Sequence, residues 1–257
     1  ALILIDLMSR YTSAALESQV LFSIQCFGEL DNEDSKKMAL ASDDPNTCFI
    51  RFWNGVAVIN KDDIYLIPYA HLGDEGAVWE NSIIRKNIEI DETKGLYEQF
   101  CLNAMRVRDN LLSSSDSDWT HEYPVNDSVL KNFDSLRSSI GYLLHADNTI
   151  QKAVIYIDRN STITKEEGGN GKTVVMKSIQ YFRDRMSVNG KQFYKGGGGD
   201  RFAFSGVTPS TGLIHIDDID KNFDFKSLFA FLTGDLEVEG KGTNKVIIPE
   251  DRKPKFG

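Results

Sequence analysis

The sequence predicts an α/β fold: a three-layer core around a parallel sheet, preceded by a smaller mixed helical and β-hairpin region. Three observations lead there. The run "KAVIYID" (152–158) is apolar without alternation, as a strand buried on both faces is. The glycine-rich "EEGGNGKT" (166–173) follows, and Val175, Ile179, Phe182 and Met186 then recur at helical spacing. A second apolar run, "GLIHIDD" (212–218), ends in carboxylates.

Taken in order, residues 1–46 carry no assignment, and their last part, "LDNEDSKKMALASDDPN" (30–46), reads as a polar loop or boundary. Residues 47–150 form the mixed region. Within it, "TCFIRFWNGVAVINKDDIYLIPYA" (47–70) holds two β-rich runs with turn signals at Asn54-Gly55 and Lys61-Asp62-Asp63, a small hairpin or meander. Residues 96–112 and 128–145 have helical spacing, and Leu136, Ile140, Leu143 and Leu144 mark an apolar stripe. The polar connection between them offers Asp127 or Ser128 as a helix cap. Residues 151–257 make up the α/β core. No internal repeat is present, and the "GGGG" run at 196–199 is a flexible stretch without a functional account.

Length and composition bound the function. A chain of 257 residues with 41% hydrophobic content can bury a real core. No apolar run approaches the ~20 residues of a membrane span, and the sequence opens at Ala1 without a basic stretch and cleavage-like site. Cys26, Cys48 and Cys101 lie far apart without metal-ligand spacing, which fits a reducing cytoplasm. The net charge of −9 is unevenly spread: residues 1–160 hold 14 basic against 25 acidic side chains, residues 161–257 hold 15 against 13. The half with the glycine run is therefore mildly basic, and the acidic total does not exclude a local basic groove.

A phosphate-binding loop needs glycines so that successive N–H groups can turn toward phosphate oxygens. It needs a lysine for the β/γ-phosphates and a hydroxyl for Mg²⁺. Gly168, Gly169, Asn170 and Gly171 supply the loop, Lys172 the charge and Thr173 the hydroxyl, and the helix starting near Lys172 aims its positive end at the phosphates. Glu166 stands where the pattern has its first glycine, with Glu167 beside it. Downstream, Asp217 at the strand end can support Mg²⁺, and Asp218 can orient or deprotonate a water. Asp220 and Asp224 read as surface or capping residues, and His215 as a satisfied core histidine. Strand, glycine loop, helix and acid-tipped strand follow one another in the order of a phosphate-loop NTPase.

These motifs, with "IHIDDIDKNFDFKSLFAFLTGDLEVEGKGTNKVIIP" and "KPKF", resemble the superfamily 3 helicases of phages, prophages, plasmids and large DNA viruses, often the C-terminal part of primase–helicases. The resemblance is strong over 168–255 and looser back to 47. It implies an AAA+-like core, ATP hydrolysis with Mg²⁺ in a homo-hexameric ring, and movement on single-stranded or forked DNA in a bacterial cytoplasm. It assigns Lys172 and Thr173 to phosphate and Mg²⁺, Asp217 to Mg²⁺ and Asp218 to water activation. It matches Thr233-Gly234-Asp235 to that family's "TGD" and puts Lys241 and Lys245 on a DNA-contacting hairpin. Residues 240–257 hold five basic against two acidic side chains, a pattern suited to phosphate contacts. The family's sensing Asn and arginine finger are expected beyond Gly257, and no primase metal triad is present, so no priming activity is assigned. Two other readings remain. An AAA+ ATPase that remodels protein would more often carry an aromatic pore loop than the charged "EVEGKGTNK". A non-catalytic DNA-binding or scaffold module with a decayed nucleotide site is motivated by Glu166 and by the missing sensor segment.

Overall fold

The computed structural model describes residues 43–71, 82–91, 95–108, 123–157, 171–193, 202–208, 210–219, 223–240 and 245–257. They fall into two compact units, 43–91 and 95–257. The smaller unit is an antiparallel meander of β1 (Cys48–Phe52), β2 (Gly55–Ile59) and β3 (Ile64–Ile67) in that order. Its central strand, Gly55-Val56-Ala57-Val58-Ile59, is buried throughout, while β1 alternates as a half-buried strand does. Asn60 closes the second turn by accepting the Asp62 and Asp63 N–H groups on its side chain. Of the two forms read from the sequence, hairpin or meander, the segment takes the three-stranded meander.

The larger unit holds α1 (Leu96–Arg108), α2 (Asp127–Leu144), α3 (Lys172–Ser178), β4 (Asp184–Asn189), β5 (Thr211–Asp217), α4 (Phe225–Thr233), β6 (Leu236–Val238), β7 (Val246–Ile248) and β8 (Lys255–Phe256). Helices α1 and α2, expected within 47–150, therefore lie in the same unit as the sheet. The cap of α2 is Asn126, whose side chain accepts the Val129 N–H at 2.9 Å, rather than Asp127 or Ser128, which are already inside the first turn.

The architecture is mixed α/β around a parallel sheet ordered β4-β5-β8. Among the described residues, 151–157 join its other side through a parallel bridge between Ala153 and Phe256 and the Val154 N–H to Phe256 carbonyl bond at 3.0 Å. This corrects the reading of 152–158 as a buried strand: Ile155 and Ile157 are 48% and 77% exposed, because this segment lies along the edge of the described sheet. The helical spacing drawn through Phe182 and Met186 also ends early. α3 stops at Ser178, a 3₁₀ turn runs over Ile179–Tyr181, and Met186 belongs to β4.

Both faces of the sheet are covered. Ile214 and Phe256 enter a buried cluster with Val188, Phe204, Leu228 and Leu236, which brings α4 and the β6–β7 hairpin onto one face. On the other, α2 packs against β5, and α3 lies so near the sheet that a Cβ on Gly257 would come within 2.6 Å of Met176 Cε. Helix α4 ends on Lys253, a buried lysine whose ammonium donates to the Phe231, Leu232 and Gly234 carbonyls and so satisfies the open end of the helix. No helix among the described residues is long and apolar enough to cross a membrane.

Candidate functional site at the carboxyl edge of the sheet

All neighbouring strands here are parallel, so Asn189, Asp217 and Gly257 end on one edge, and the segment 151–157 runs toward that edge before the glycine loop. Gly168, Gly169 and Asn170, with Glu166 and Glu167, lie outside the described residues. Gly171 is described and sits at the cap of α3 with φ 83°. That left-handed conformation suits glycine, and the space is closed as well: a Cβ there would stand 2.7 Å from Phe100 Cζ of α1. The same helix α1 holds the far end of α3 through Tyr97, whose hydroxyl shares a 2.7 Å hydrogen bond with Ser178 Oγ. Burial drives the Tyr97 hydroxyl far above its ordinary pKa, so this contact stays neutral.

Gly171→Ala should therefore destabilise the unit by more than the ~1–2 kcal/mol of a left-handed non-glycine residue. Combining it with Phe100→Ala should recover the steric part and leave the backbone part. Urea midpoints of the four proteins in that cycle measure both; strict additivity would remove the Phe100 contact from the account.

At the strand end, Asp217 is half exposed and Asp218 exposed. The Asp218 N–H donates to Asp217 Oδ1 at 3.0 Å. Asp218 has φ 58°, a conformation aspartate tolerates better than most side chains and one that recurs at working sites. Its Oδ2 receives the ammonium of Lys191 at 2.5 Å. Lys191 comes from the 3₁₀ turn Gly190–Gln192 after β4, and Asn189 fixes that turn by accepting the Lys191 N–H. The turn is pressed against the end of β5, since a Cβ on Gly190 would meet Asp217 O at 2.9 Å. Sequence reasoning missed Lys191, and its place follows only from the β4–β5 register.

His215 lies buried beneath this edge. Its Nδ1 is 2.8 Å from Arg185 Nη1, and its Nε2 is 3.9 Å from Asp217 Oδ1. Burial chiefly holds the imidazole below its ordinary pKa; Arg185 and Lys177 add to the shift and Asp217 opposes it.

Lys241 and Asp220 lie outside the described residues. Lys245 sits at the foot of β7 in the antiparallel β6–β7 hairpin, its ammonium 2.6 Å from Glu237 Oε2. The basic count of residues 240–257 overstates the cations offered to a partner. Lys253 caps α4, and the buried Lys255 donates to the Asp147 carbonyl over the Tyr142 ring. Asp224 accepts the Lys226 N–H at the start of α4, a capping role as expected. In the "TGD" segment, Asp235 accepts the Glu250 N–H at 3.0 Å, tying the end of α4 to the residues after β7.

Fold and edge together define a mixed α/β protein with a parallel sheet whose carboxyl edge gathers Asp217, Asp218 and Lys191. Comparison of the chain with protein-family models, with characterised proteins and with solved structures found no match.

Proposed function

We propose that residues 151–257 are a three-layer, AAA+-like phosphate-loop ATPase core, and that the protein is an ATP-driven DNA helicase of the superfamily 3 type, the ATPase part of a phage or prophage replication protein working as a homo-hexamer. The observation that carries this is the strand order. The chain leaves 151–157 through the glycine loop, crosses to β4, returns through β5 and inserts β8 between β5 and 151–157. The end of 151–157 and the acid pair then stand two strand spacings apart, about 10 Å, along one carboxyl edge, where open parallel sheets bind ligands.

In this reading Gly168, Gly169, Asn170 and Gly171 wrap the phosphates and Lys172 neutralises the β/γ oxygens. The oxygen donors at hand, the Thr173 hydroxyl and the half-exposed Asp217 carboxylate, are hard ligands of the kind Mg²⁺ takes beside nucleotide phosphates. Bound there, Mg²⁺ would neutralise charge on the transferring phosphoryl group. Asp218 takes the proton of the attacking water. Lys191 occupies only its Oδ2, which leaves Oδ1 as the acceptor.

The hairpin is the DNA-facing element. Lys245 exchanges Glu237 for a phosphate, and Lys241 contributes a second cation from the same hairpin. Single-stranded or forked DNA should stimulate ATP turnover. Lys241→Ala with Lys245→Ala should weaken binding and flatten the salt dependence by roughly 0.7 in slope per lost contact on single strands. Filter binding across a salt series and a turnover assay read both. Turnover indifferent to DNA would favour an AAA+ remodelling ATPase acting on protein; absence of turnover would favour a scaffold module with a decayed site.

A further inference from the structure

We propose that His215, locked by Arg185, is the positioning residue for Asp217, turning one carboxylate oxygen of Asp217 outward for a divalent cation. The inference rests on the nucleotide-site reading and adds a residue pair to it. A guanidinium only donates, so the 2.8 Å contact of Arg185 Nη1 makes His215 Nδ1 an acceptor and puts the ring proton on Nε2. That N–H faces Asp217 Oδ1, which already accepts the Asp218 N–H. Two donors on Oδ1 leave Oδ2 for the cation. The 3.9 Å gap to Nε2 is longer than a hydrogen bond and closes by a small turn of the half-exposed Asp217 side chain.

Arg185 is an expensive residue to place there. Its Nη2 reaches Gln180 at 3.3 Å, but its Nε is buried with no hydrogen-bond partner. An arrangement that must fix one tautomer needs the guanidinium. Groups that orient a metal ligand from behind change metal affinity or activity about 10–100-fold when removed.

The test uses the full chain labelled with ¹⁵N. A long-range proton–nitrogen spectrum of the imidazole should show His215 protonated on Nε2 and bare on Nδ1, and Mn²⁺ should broaden its signals selectively. His215→Asn keeps an acceptor for Arg185 but cannot reach Asp217. It should raise the Mg²⁺ needed for half-maximal turnover about ten-fold without moving the KM for ATP at saturating Mg²⁺. His215→Gln, with a donor near the place of Nε2, should restore most of the difference. A proton on Nδ1, or equal Mg²⁺ requirements in His215→Asn and the unsubstituted protein, would overturn the proposal. The expected tautomer with Mn²⁺ broadening but without ATP turnover would uphold it and overturn the helicase reading instead.

Discussion

Lys172→Ala should lower ATP turnover by about 10²–10³-fold, the usual effect of removing one preorganised positive group from a charged transition state. The magnitude follows from where the charge stands. Lys172 is the first residue of α3, directly after the left-handed Gly171, and α3 is held at both ends by α1 through Phe100 and Tyr97. A cation on so constrained a backbone needs little reorganisation to meet a phosphate. Lys172 is only partly buried, so its loss should move the urea midpoint by no more than a typical surface change, about 0.5 kcal/mol. A large loss of turnover with an unmoved midpoint is the expected pair of results. Unchanged turnover would remove the loop from the chemistry.

Phe256→Ala should cost about 3–5 kcal/mol, the range for deleting a buried aromatic side chain. Phe256 is 1% exposed, stands edge-on to Phe204 at 6.1 Å, and shares its cluster with Ile214, the β5 residue paired with it in register. Against a domain stability of roughly 5–15 kcal/mol this is a large fraction. Urea unfolding should show a lowered midpoint at unchanged slope. Phe256→Leu, which keeps most of the volume, should cost less than about 1.5 kcal/mol. If alanine costs no more than leucine, β8 is not the packed centre that its neighbours indicate.

Strands whose burial matched their local pattern were legible. "GLIHIDD" is apolar because β5 lies between β4 and β8 with both faces covered, and its carboxylates mark the edge where cover ends. The β1–β3 meander shows itself by β-rich runs and turn residues. β4 was hidden because Arg185, Met186, Ser187 and Val188 are a mixed run on a strand that, among the described residues, pairs along one side, and Phe182 and Met186 mimic a helical repeat across a 3₁₀ turn. "KAVIYID" misled the other way, since an apolar run says nothing of whether a neighbour arrives to cover it. The parts of the site set by pairing between distant segments had no local signal. Arg185 and His215 are thirty positions apart, and Lys191 and Asp218 twenty-seven. The inward turn of Lys253 and Lys255 is equally silent in a charge count.

The insertion of β8 between β5 and 151–157 also bears on how the protein is made. Ala153 meets Phe256 about a hundred positions downstream, so the sheet cannot close from local contacts. Closing so long a loop is entropically costly before any contact rewards it, and folds dominated by such pairings form slowly. On a ribosome, 151–157 and the acidic strand β5 emerge well before β8, the strand that pairs with both. Until residues 255–257 arrive, the edges of β5 and of 151–157 stand open to other chains, and the growing polypeptide is most exposed to mispairing in that interval.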